Sequence, residues 1–221
     1  MQNMKLLVVG SINMDIFTYV ENLPKPGETL NSEQVKFGSG GKGANQAVAA
    51  SLSGAEVYIL GAVGNDAFQG TLLQSLKENN VNLNYVIEKN TNSGLALITV
   101  DQNGENHIVL SEGANGLIKN KDVDKVLEQS ILPAAVLVQN EITWETTRYV
   151  MEKAKKLNIA VYYNAAPAKK ISDKVFGLMD VLILNELEAT TLTGTIIEVD
   201  EDAKHALNQL INKGVKEVII T

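Results

Sequence analysis

Short runs of consecutive apolar residues recur along the chain and are separated by longer segments with helical periodicity. Apolar runs without polar alternation are typical of strands that are buried on both faces of a sheet. The pattern predicts six such strands, at residues 5–9, 56–60, 135–139, 160–163, 181–184 and 217–221. We therefore expect a mainly parallel central sheet.

The segments between these strands place apolar residues on one side of a helix. In the clearest case, residues 203–211, apolar residues recur at offsets of 0, 3, 4, 7 and 8 positions. Similar faces occur at residues 68–76 and 150–157, and a helix of small residues is predicted at 44–52. Strands that alternate with amphipathic helices indicate an α/β fold with helices on both faces of the sheet.

Two segments break this rhythm and predict antiparallel hairpins. Residues 15–37 contain a Pro-Lys-Pro-Gly turn, and residues 94–110 contain an Asp-Gln-Asn-Gly turn. Two inserted hairpins can pair into a small separate sheet, which we interpret as a lid; the alternative is that they are edge strands of the main sheet. No linker is long enough to divide the chain, so residues 1–221 are expected to form a single domain.

Composition excludes several classes of function. The net charge of −7, without a basic cluster, makes nucleic acid or an anionic membrane a poor candidate partner. The chain contains no cysteine and two widely separated histidines, so a Cys-ligated zinc site and a thiol nucleophile are excluded. No apolar run approaches the roughly 20 residues of a membrane span, and the expected location is the cytoplasm.

Polar side chains collect directly after the predicted strands. Asn13 and Asp15 follow the first strand, Glu141 follows the third, and Asn164 and Asn185 follow the next two. The carboxyl ends of parallel strands form the edge at which α/β proteins bind ligands. One such residue is commonly a helix cap or a turn former, but recurrence along one edge favours a binding site. Carboxylates accept hydroxyl protons and amides both donate and accept, so these residue types suit a polyol.

A glycine-rich block, GSGGKGAN at residues 38–45, precedes the small-residue helix. Exposed backbone amides and the helix dipole at such a position accommodate an anion or a closely approaching ligand. The dinucleotide-binding interpretation is rejected because residues 33–37 are too polar for a buried strand, and the block does not have the Walker A spacing. A turn with tight packing of helix against sheet remains the alternative.

Five sequence blocks together resemble the ribokinase branch of the PfkB carbohydrate kinase family. They are GSINMD at 10–15, PGET at 26–29, GGKGANQA at 40–47, GAVGND at 61–66, and NELE at 185–188, which matches the family's Asn-x-x-Glu motif. The resemblance runs along the whole chain. It implies a ribokinase-like three-layer α/β/α fold with a mainly parallel sheet and a small β-sheet lid. It also implies phosphorylation of a sugar by ATP, specifically of D-ribose to D-ribose 5-phosphate.

The resemblance further implies roles for individual residues. The sugar would be bound by Asn13, Asp15, Gly41, Lys42, Asn45 and Glu141. The ATP phosphates and nucleotide would lie near Asn185, Thr221 and Asn164, and Glu188 would face Mg²⁺ and its waters. A monovalent cation such as K⁺ would belong to a full-length form. The lid would close over the sugar and would join two subunits as a homodimer.

One signature of the family, a Gly-Ala-Gly-Asp-type segment, does not occur in these residues. In the family its aspartate is the base that takes the sugar hydroxyl proton, so no catalytic residue is assigned and the domain is expected to be incomplete at its C-terminus. Loss of a positioned base costs about 10²–10⁴-fold, so we expect the 221-residue form to be inactive or very weak. The alternatives are a non-catalytic sugar-binding protein or fragment, and a kinase for another sugar such as fructose.

Overall fold

A computed structural model describes residues 4–129 and 132–221. Its strands are β1 (Lys5–Val9), β2 (Asn13–Tyr19), β3 (Gln34–Gly40), β4 (Glu56–Leu60), β5 (Ala62–Gly64), β6 (Ile87–Lys89), β7 (Gly94–Val100), β8 (Asn106–Ser111), β9 (Ala135–Val138), β10 (Ala160–Asn164), β11 (Val181–Leu184) and β12 (Glu217–Ile220). Its α-helices are α1 (Lys42–Leu52), α2 (Gln69–Glu78), α3 (Asn120–Gln129), α4 (Trp144–Lys156), α5 (Glu186–Thr193) and α6 (Asp200–Asn212). Short 3₁₀ turns occupy Gly113–Leu117 and Asp173–Leu178.

The six predicted strands form one parallel sheet, in the order β12-β11-β10-β9-β1-β4. In β1, Leu6 and Val8 belong to one buried core and Leu7 and Val9 belong to another. Alternate residues of a strand point to opposite faces, so an uninterrupted apolar run is what a strand covered on both faces requires. The prediction of a parallel central sheet is confirmed.

Helices cover both faces of this sheet. On the face of Leu6, α1 and α2 contribute Ala47 and Leu72; on the face of Leu7, α4 and α6 contribute Met151 and Leu210. All four helix residues are fully buried. The three-layer α/β/α architecture is therefore confirmed.

The two predicted hairpins form a separate four-stranded sheet, in the order β3-β2-β7-β8. Each hairpin is antiparallel, and the hairpins join through the parallel pair β2 and β7. The alternative that they are edge strands of the main sheet is wrong. Both strands of the first hairpin extend beyond residues 15–37, so Asn13 and Gly40 lie paired within the lid.

Asp66 ties the lid to the body of the protein. One oxygen of its carboxylate accepts hydrogen bonds from the backbone amides of Phe68 and Gln69 at the start of α2. The other oxygen accepts from the amide of Ser93, at 2.6 Å, directly before β7. The side chain that binds the amides at the start of α2 therefore also anchors the base of the lid.

Two helices were not predicted from the apolar pattern. The ten residues of α3 contain only three large apolar side chains, and α5 is eight residues long. The sequence did not predict α5; the Asn-x-x-Glu block, given only as a family motif, forms a capping box at its first turn. Within the described residues, no helix combines the length and the apolar character that crossing a membrane requires.

We expect opposite effects from alanine at two glycines that are both the second residue of a helix. A Cβ on Gly43 of α1 would lie 2.6 Å from the carbonyl carbon of Gly10 and the amide nitrogen of Ser11, whereas a Cβ on Gly70 of α2 would contact nothing within 4 Å. Gly43→Ala should therefore destabilise the protein by about 2–3 kcal/mol through overpacking. Gly70→Ala should stabilise it by up to about 1 kcal/mol through helix propensity. Urea unfolding of both variants measures the difference, and equal stabilities would contradict the close approach of α1 to β1.

Candidate functional site

A cavity of about 460 Å³ lies between the carboxyl edge of the central sheet and the lid. Its polar lining consists of Asn13, Asp15, Gly41, Lys42, Asn45, Glu141 and Glu188. Its apolar lining consists of Ala96, Ile98, Ile108, Leu110, Pro167, Ala168 and Leu187. The volume lies within the range of small-molecule sites, and the walls differ sharply in polarity.

Three elements bring the polar residues together. Asn13 and Asp15 are two positions apart in β2 and so project from the same face of the strand. Lys42 and Asn45 come from the first turn of α1, and Glu141 follows β9. The structure thus gathers the six residues that the sequence proposed for sugar binding around one cavity. Their function in binding stays a prediction.

Glu141 is held by the amino end of α1. One carboxylate oxygen accepts a hydrogen bond from the Ser11 hydroxyl at 2.6 Å and another from the backbone amide of Lys42 at 2.9 Å. The Ser11 hydroxyl oxygen in turn accepts from the amide of Gly43 at 3.3 Å. A carboxylate at a helix amino terminus is stabilised by the free amides and by the helix dipole. Glu141 is therefore a fixed wall of the cavity.

The glycine block permits this arrangement. Gly41 has a φ of 92°, and a Cβ there would lie 2.8 Å from the amide nitrogen of Asn13. Only glycine adopts that conformation without strain and also leaves room for the neighbouring backbone. The alternative interpretation, tight packing, therefore accounts for this glycine, while Lys42 and Asn45 of the same block face the cavity.

Asp15 lies in a costly environment for a charge. Burial, mainly, and the nearby negative charge of Glu141 raise the pKa of its carboxyl to about 6, although Lys42 acts in the opposite direction. Asp15 therefore ionises close to neutral pH, and its charge is only partly compensated by the protein. Such a carboxylate is available to accept hydrogen bonds from a ligand.

Two fully buried polar side chains hold residues of the site in place. Neither was assigned a role from the sequence. Ser11 orients Glu141, and the side chain of Asn115 hydrogen-bonds both to the backbone of Ile12 and to the side chain of Asn13. Ser11 stands beside Asn13 in the GSINMD block, which was its only signal. Asn115 lies in a 3₁₀ turn more than 100 positions away, and no local pattern points to it.

Asn140, which is also buried, shapes the cavity next to Glu141. Its side-chain nitrogen donates to the carbonyl of Pro167 at 2.9 Å, and its side-chain oxygen accepts from the hydroxyl of Tyr163 at 2.7 Å. Burial raises the pKa of Tyr163, so its hydroxyl remains a donor. Asn140 thereby fixes the loop that places Pro167 on the cavity wall.

The residues proposed for the nucleotide occupy the same edge of the sheet but do not line the cavity. Asn164 ends β10, where its side-chain nitrogen donates to the carbonyl of Ile183 at 3.3 Å, and Thr221 follows β12. Asn185 caps α5 by accepting from the amide of Glu188 at 2.8 Å. Glu188, which is 7% exposed, does line the cavity, and one of its oxygens accepts from the amide of Asn185.

The cavity offers few protein ligands for a metal ion. Within residues 4–129 and 132–221, no three acidic, histidine or cysteine residues are grouped to hold a metal ion. Glu188 nevertheless presents a carboxylate to the cavity. Mg²⁺ commonly takes one or two carboxylates and completes its shell with water and substrate phosphates. The site therefore fits an ion that arrives with a phosphate ligand.

Comparison with known proteins identifies relatives that span nearly the whole chain. The family model for pfkB family carbohydrate kinases matches residues 3–221. A deoxyribokinase from Salmonella typhi is 36% identical over 220 residues, covering 99% of this chain and 72% of the relative. A ribokinase from Haemophilus influenzae is 35% identical over 219 residues, covering 98% of this chain and 71% of the relative.

Solved structures have the same fold. A structure of Arabidopsis thaliana ribokinase complexed with ribose and ATP superimposes with a TM-score of 0.86 at 30% identity, covering 99% of this chain and 72% of that one. A ribokinase from Thermotoga maritima superimposes with a TM-score of 0.83 at 32% identity, covering 98% of this chain and 71% of that one.

We expect Asp15→Asn to stabilise the protein more at pH 7.5 than at pH 4.5. A carboxyl with a raised folded-state pKa holds its proton more tightly when folded, so its contribution to stability falls as pH rises from 3.8 to about 6. Asparagine removes that penalty.

Glu141→Gln should instead destabilise the protein, because it weakens charge-assisted hydrogen bonds to Ser11 and Lys42. Melting temperatures at both pH values test this; a pH-independent difference for Asp15→Asn would contradict it.

Proposed function

Because the chain belongs to the pfkB family of carbohydrate kinases and is thus a sugar kinase, we propose that its reaction is transfer of the γ-phosphoryl group of ATP to the 5-hydroxyl of D-ribose, which the 221-residue form, with no assigned base for the hydroxyl proton, performs very weakly at most. The observation that carries this proposal is the polar wall, on which Asn13, Asp15, Lys42, Asn45 and Glu141 face one cavity. Carboxylates accept hydroxyl protons, while amide and ammonium groups donate to hydroxyl oxygens. A pentose offers both kinds of partner at every hydroxyl.

The lid supplies the second half of the proposed sugar site. Ala96, Ile98, Ile108 and Leu110 of β7 and β8 line the cavity beside Asn13 and Asp15 of β2, on the same side of the lid, since Ala96 pairs with Asp15. Apolar side chains there would cover the carbon face of the sugar and displace water. Exclusion of water matters for a kinase, since water competes with the sugar hydroxyl for the phosphoryl group.

The proposed ATP site lies along the neighbouring strand ends at Asn164, Asn185 and Thr221. The ribokinase of Arabidopsis thaliana was solved with ribose and ATP, and the ribokinase of Cryptococcus neoformans with ADP. Glu188, at the start of α5, would hold Mg²⁺ through a carboxylate oxygen or its waters, and bound Mg²⁺ would neutralise phosphate charge. Asp15 and Glu141 would bind sugar hydroxyls, so neither is a general base, and no residue is assigned to K⁺.

A second candidate substrate is 2-deoxy-D-ribose. It is favoured by the deoxyribokinases of Salmonella, which are as similar to this chain, at 36% identity, as the ribokinase of Haemophilus influenzae is, at 35%. The two sugars differ by one hydroxyl. A site that hydrogen-bonds that hydroxyl would discriminate strongly against its absence, because polar groups would be left unpaired.

We expect the purified protein to bind D-ribose more tightly than 2-deoxy-D-ribose or D-fructose. Isothermal titration calorimetry measures this, and coupled ATP-turnover and sugar-phosphate assays measure the chemistry. Asp15→Ala should weaken D-ribose binding at least tenfold, since hydrogen bonds to a charged group contribute about 1.5–3 kcal/mol. Asp101→Ala, in the exposed β7–β8 turn, is the control and should bind normally.

Each outcome distinguishes the candidates. Preference for 2-deoxy-D-ribose would transfer the assignment to that sugar, and preference for D-fructose would overturn a pentose. Slow or absent ATP turnover is expected of the 221-residue form, so a sugar-binding protein without catalysis would be favoured only if D-ribose binds and ATP does not. Unchanged affinity in Asp15→Ala would mean that the sugar lies elsewhere.

We also propose that two copies of this chain pair through their lids. On the face of the lid opposite the cavity, Phe37, Leu97 and Val109 form a row across its strands and are 61%, 48% and 64% exposed. An apolar row on an exposed sheet is typical of a protein interface. Val109→Lys should then convert a dimer into a monomer, measured by sedimentation velocity. Leu52→Lys, at an equally exposed position of α1, is the control, and a monomeric parent protein would overturn the proposal.

A further inference from the structure

A relay of hydrogen bonds runs from the backbone of β1–β2 to the cavity. The side-chain oxygen of Asn115 accepts from the amide of Ile12 at 3.0 Å, and its side-chain nitrogen donates to the carbonyl of Ile12 at 3.3 Å. The same nitrogen donates to the side-chain oxygen of Asn13 at 2.7 Å. Asn115 is fully buried, whereas Asn13 lines the cavity.

The backbone of Ile12 determines which way round the Asn115 amide lies. Reversal of that amide would place its NH₂ against the Ile12 amide and its oxygen against the Ile12 carbonyl, which would replace two hydrogen bonds by two repulsive contacts. A buried polar group without a partner costs about 1–3 kcal/mol. The orientation of Asn115 is therefore fixed before any ligand binds.

The Asn115 amide in turn determines the orientation of Asn13. Because Asn115 donates to Asn13, the side-chain oxygen of Asn13 must point towards Asn115. The NH₂ group of Asn13 is left for the cavity, and among the described residues it donates no hydrogen bond. Two residues along the strand, Asp15 presents a carboxylate, which accepts only.

The lid restricts the orientations that the side chains of Asn13 and Asn115 can adopt. A Cβ on Gly94, the first residue of β7, would lie 2.2 Å from both the side-chain nitrogen of Asn115 and the side-chain oxygen of Asn13. The backbone of the lid therefore packs directly against the hydrogen bond that joins the two amides. Neither amide can therefore rotate towards β7.

We infer that Asn115 is a positioning residue that makes Asn13 an obligatory hydrogen-bond donor to the bound sugar. This inference rests on the proposed function, since it assumes that the ligand is a sugar. Asn13 would donate to an oxygen of the ligand, while Asp15 would accept from a hydroxyl proton. The subsite thus selects a ligand that offers an accepting oxygen beside a donating hydroxyl, as adjacent hydroxyls of a pentose do.

A double-mutant cycle tests whether Asn115 acts through Asn13. Dissociation constants for D-ribose are measured by calorimetry for the parent protein, Asn13→Ala, Asn115→Ala and the double variant. We expect Asn13→Ala to weaken binding about tenfold, the effect of one lost hydrogen bond of roughly 1.4 kcal/mol. Asn115→Ala should weaken binding severalfold in the parent but less than twofold in the Asn13→Ala background. Equal effects in both backgrounds would overturn the inference.

Asn13→Asp tests the direction of the hydrogen bond without removing the partner of Asn115. Aspartate still accepts from Asn115 but has no NH₂ group to offer. We expect it to lose at least as much D-ribose affinity as Asn13→Ala. Binding as tight as in the parent protein would show that the sugar needs an acceptor at this position, and the inference would be wrong.

Nuclear magnetic resonance of the unliganded parent protein decides the orientation even where Asn115→Ala does not fold. We expect a scalar coupling across the hydrogen bond from the side-chain nitrogen of Asn115 to the side-chain carbonyl carbon of Asn13. On addition of D-ribose, the NH₂ signal of Asn13 should shift more than that of Asn115. If the coupling is absent and the Asn13 NH₂ protons contact Asn115, the inference fails. If the coupling is present but the parent protein binds no sugar, the relay stands and the proposed function fails.

Discussion

The approach of the amino end of α1 to the backbone that joins β1 and β2 is the constraint on which the site depends. Gly41 and Gly43 meet the backbone of residues 10–13 at distances that no side chain would allow. That contact places the free amides of α1 beside Ser11 and Glu141. The amide of Lys42 donates to the Glu141 carboxylate, and the amide of Gly43 donates to the Ser11 hydroxyl, which in turn donates to the same carboxylate. Without this contact, strand β2 of the lid and the cavity-lining residues of α1 would not be held next to each other. A packing requirement and a binding requirement are thus met by the same glycines.

The two carboxylates of this cavity differ in how far the protein compensates their charge. Glu141 is satisfied by donors of the fold, so it contributes to stability as well as to the shape of the cavity. Asp15 is partly buried next to that negative charge, and its pKa rises to about 6. Sites that bind ligands commonly retain such unsatisfied groups at a cost to stability. Glu141 therefore builds the site through one carboxylate oxygen, whereas the carboxylate of Asp15 is left for a ligand.

Much of the fold could be predicted from local patterns. The apolar run of β1, the helical spacing in α6 and the two turn-centred hairpins each indicate their element because the signal lies within a few neighbouring residues. The pattern was weaker for α3, whose short apolar face is outnumbered by charges, and for Asn13, which looks like a loop residue. Asn13 belongs to a strand because β3 and β7 pair with it from either side. Pairing between distant segments overrides local composition at such positions.

The sequence by itself determined most of the element types, the parallel character of the main sheet and the edge at which polar side chains collect, because periodicity and the alternation of strands with helices are read from residues close in the chain. Only the tertiary structure decided which of those side chains meet. Glu141 lies 99 positions from Lys42 and 130 from Ser11, and Asn115 lies 102 from Asn13. Hydrogen bonds over such separations depend on strand register and on backbone approach to within a few ångströms. The orientation of a single amide in the cavity is therefore a property of the folded chain and not of any motif.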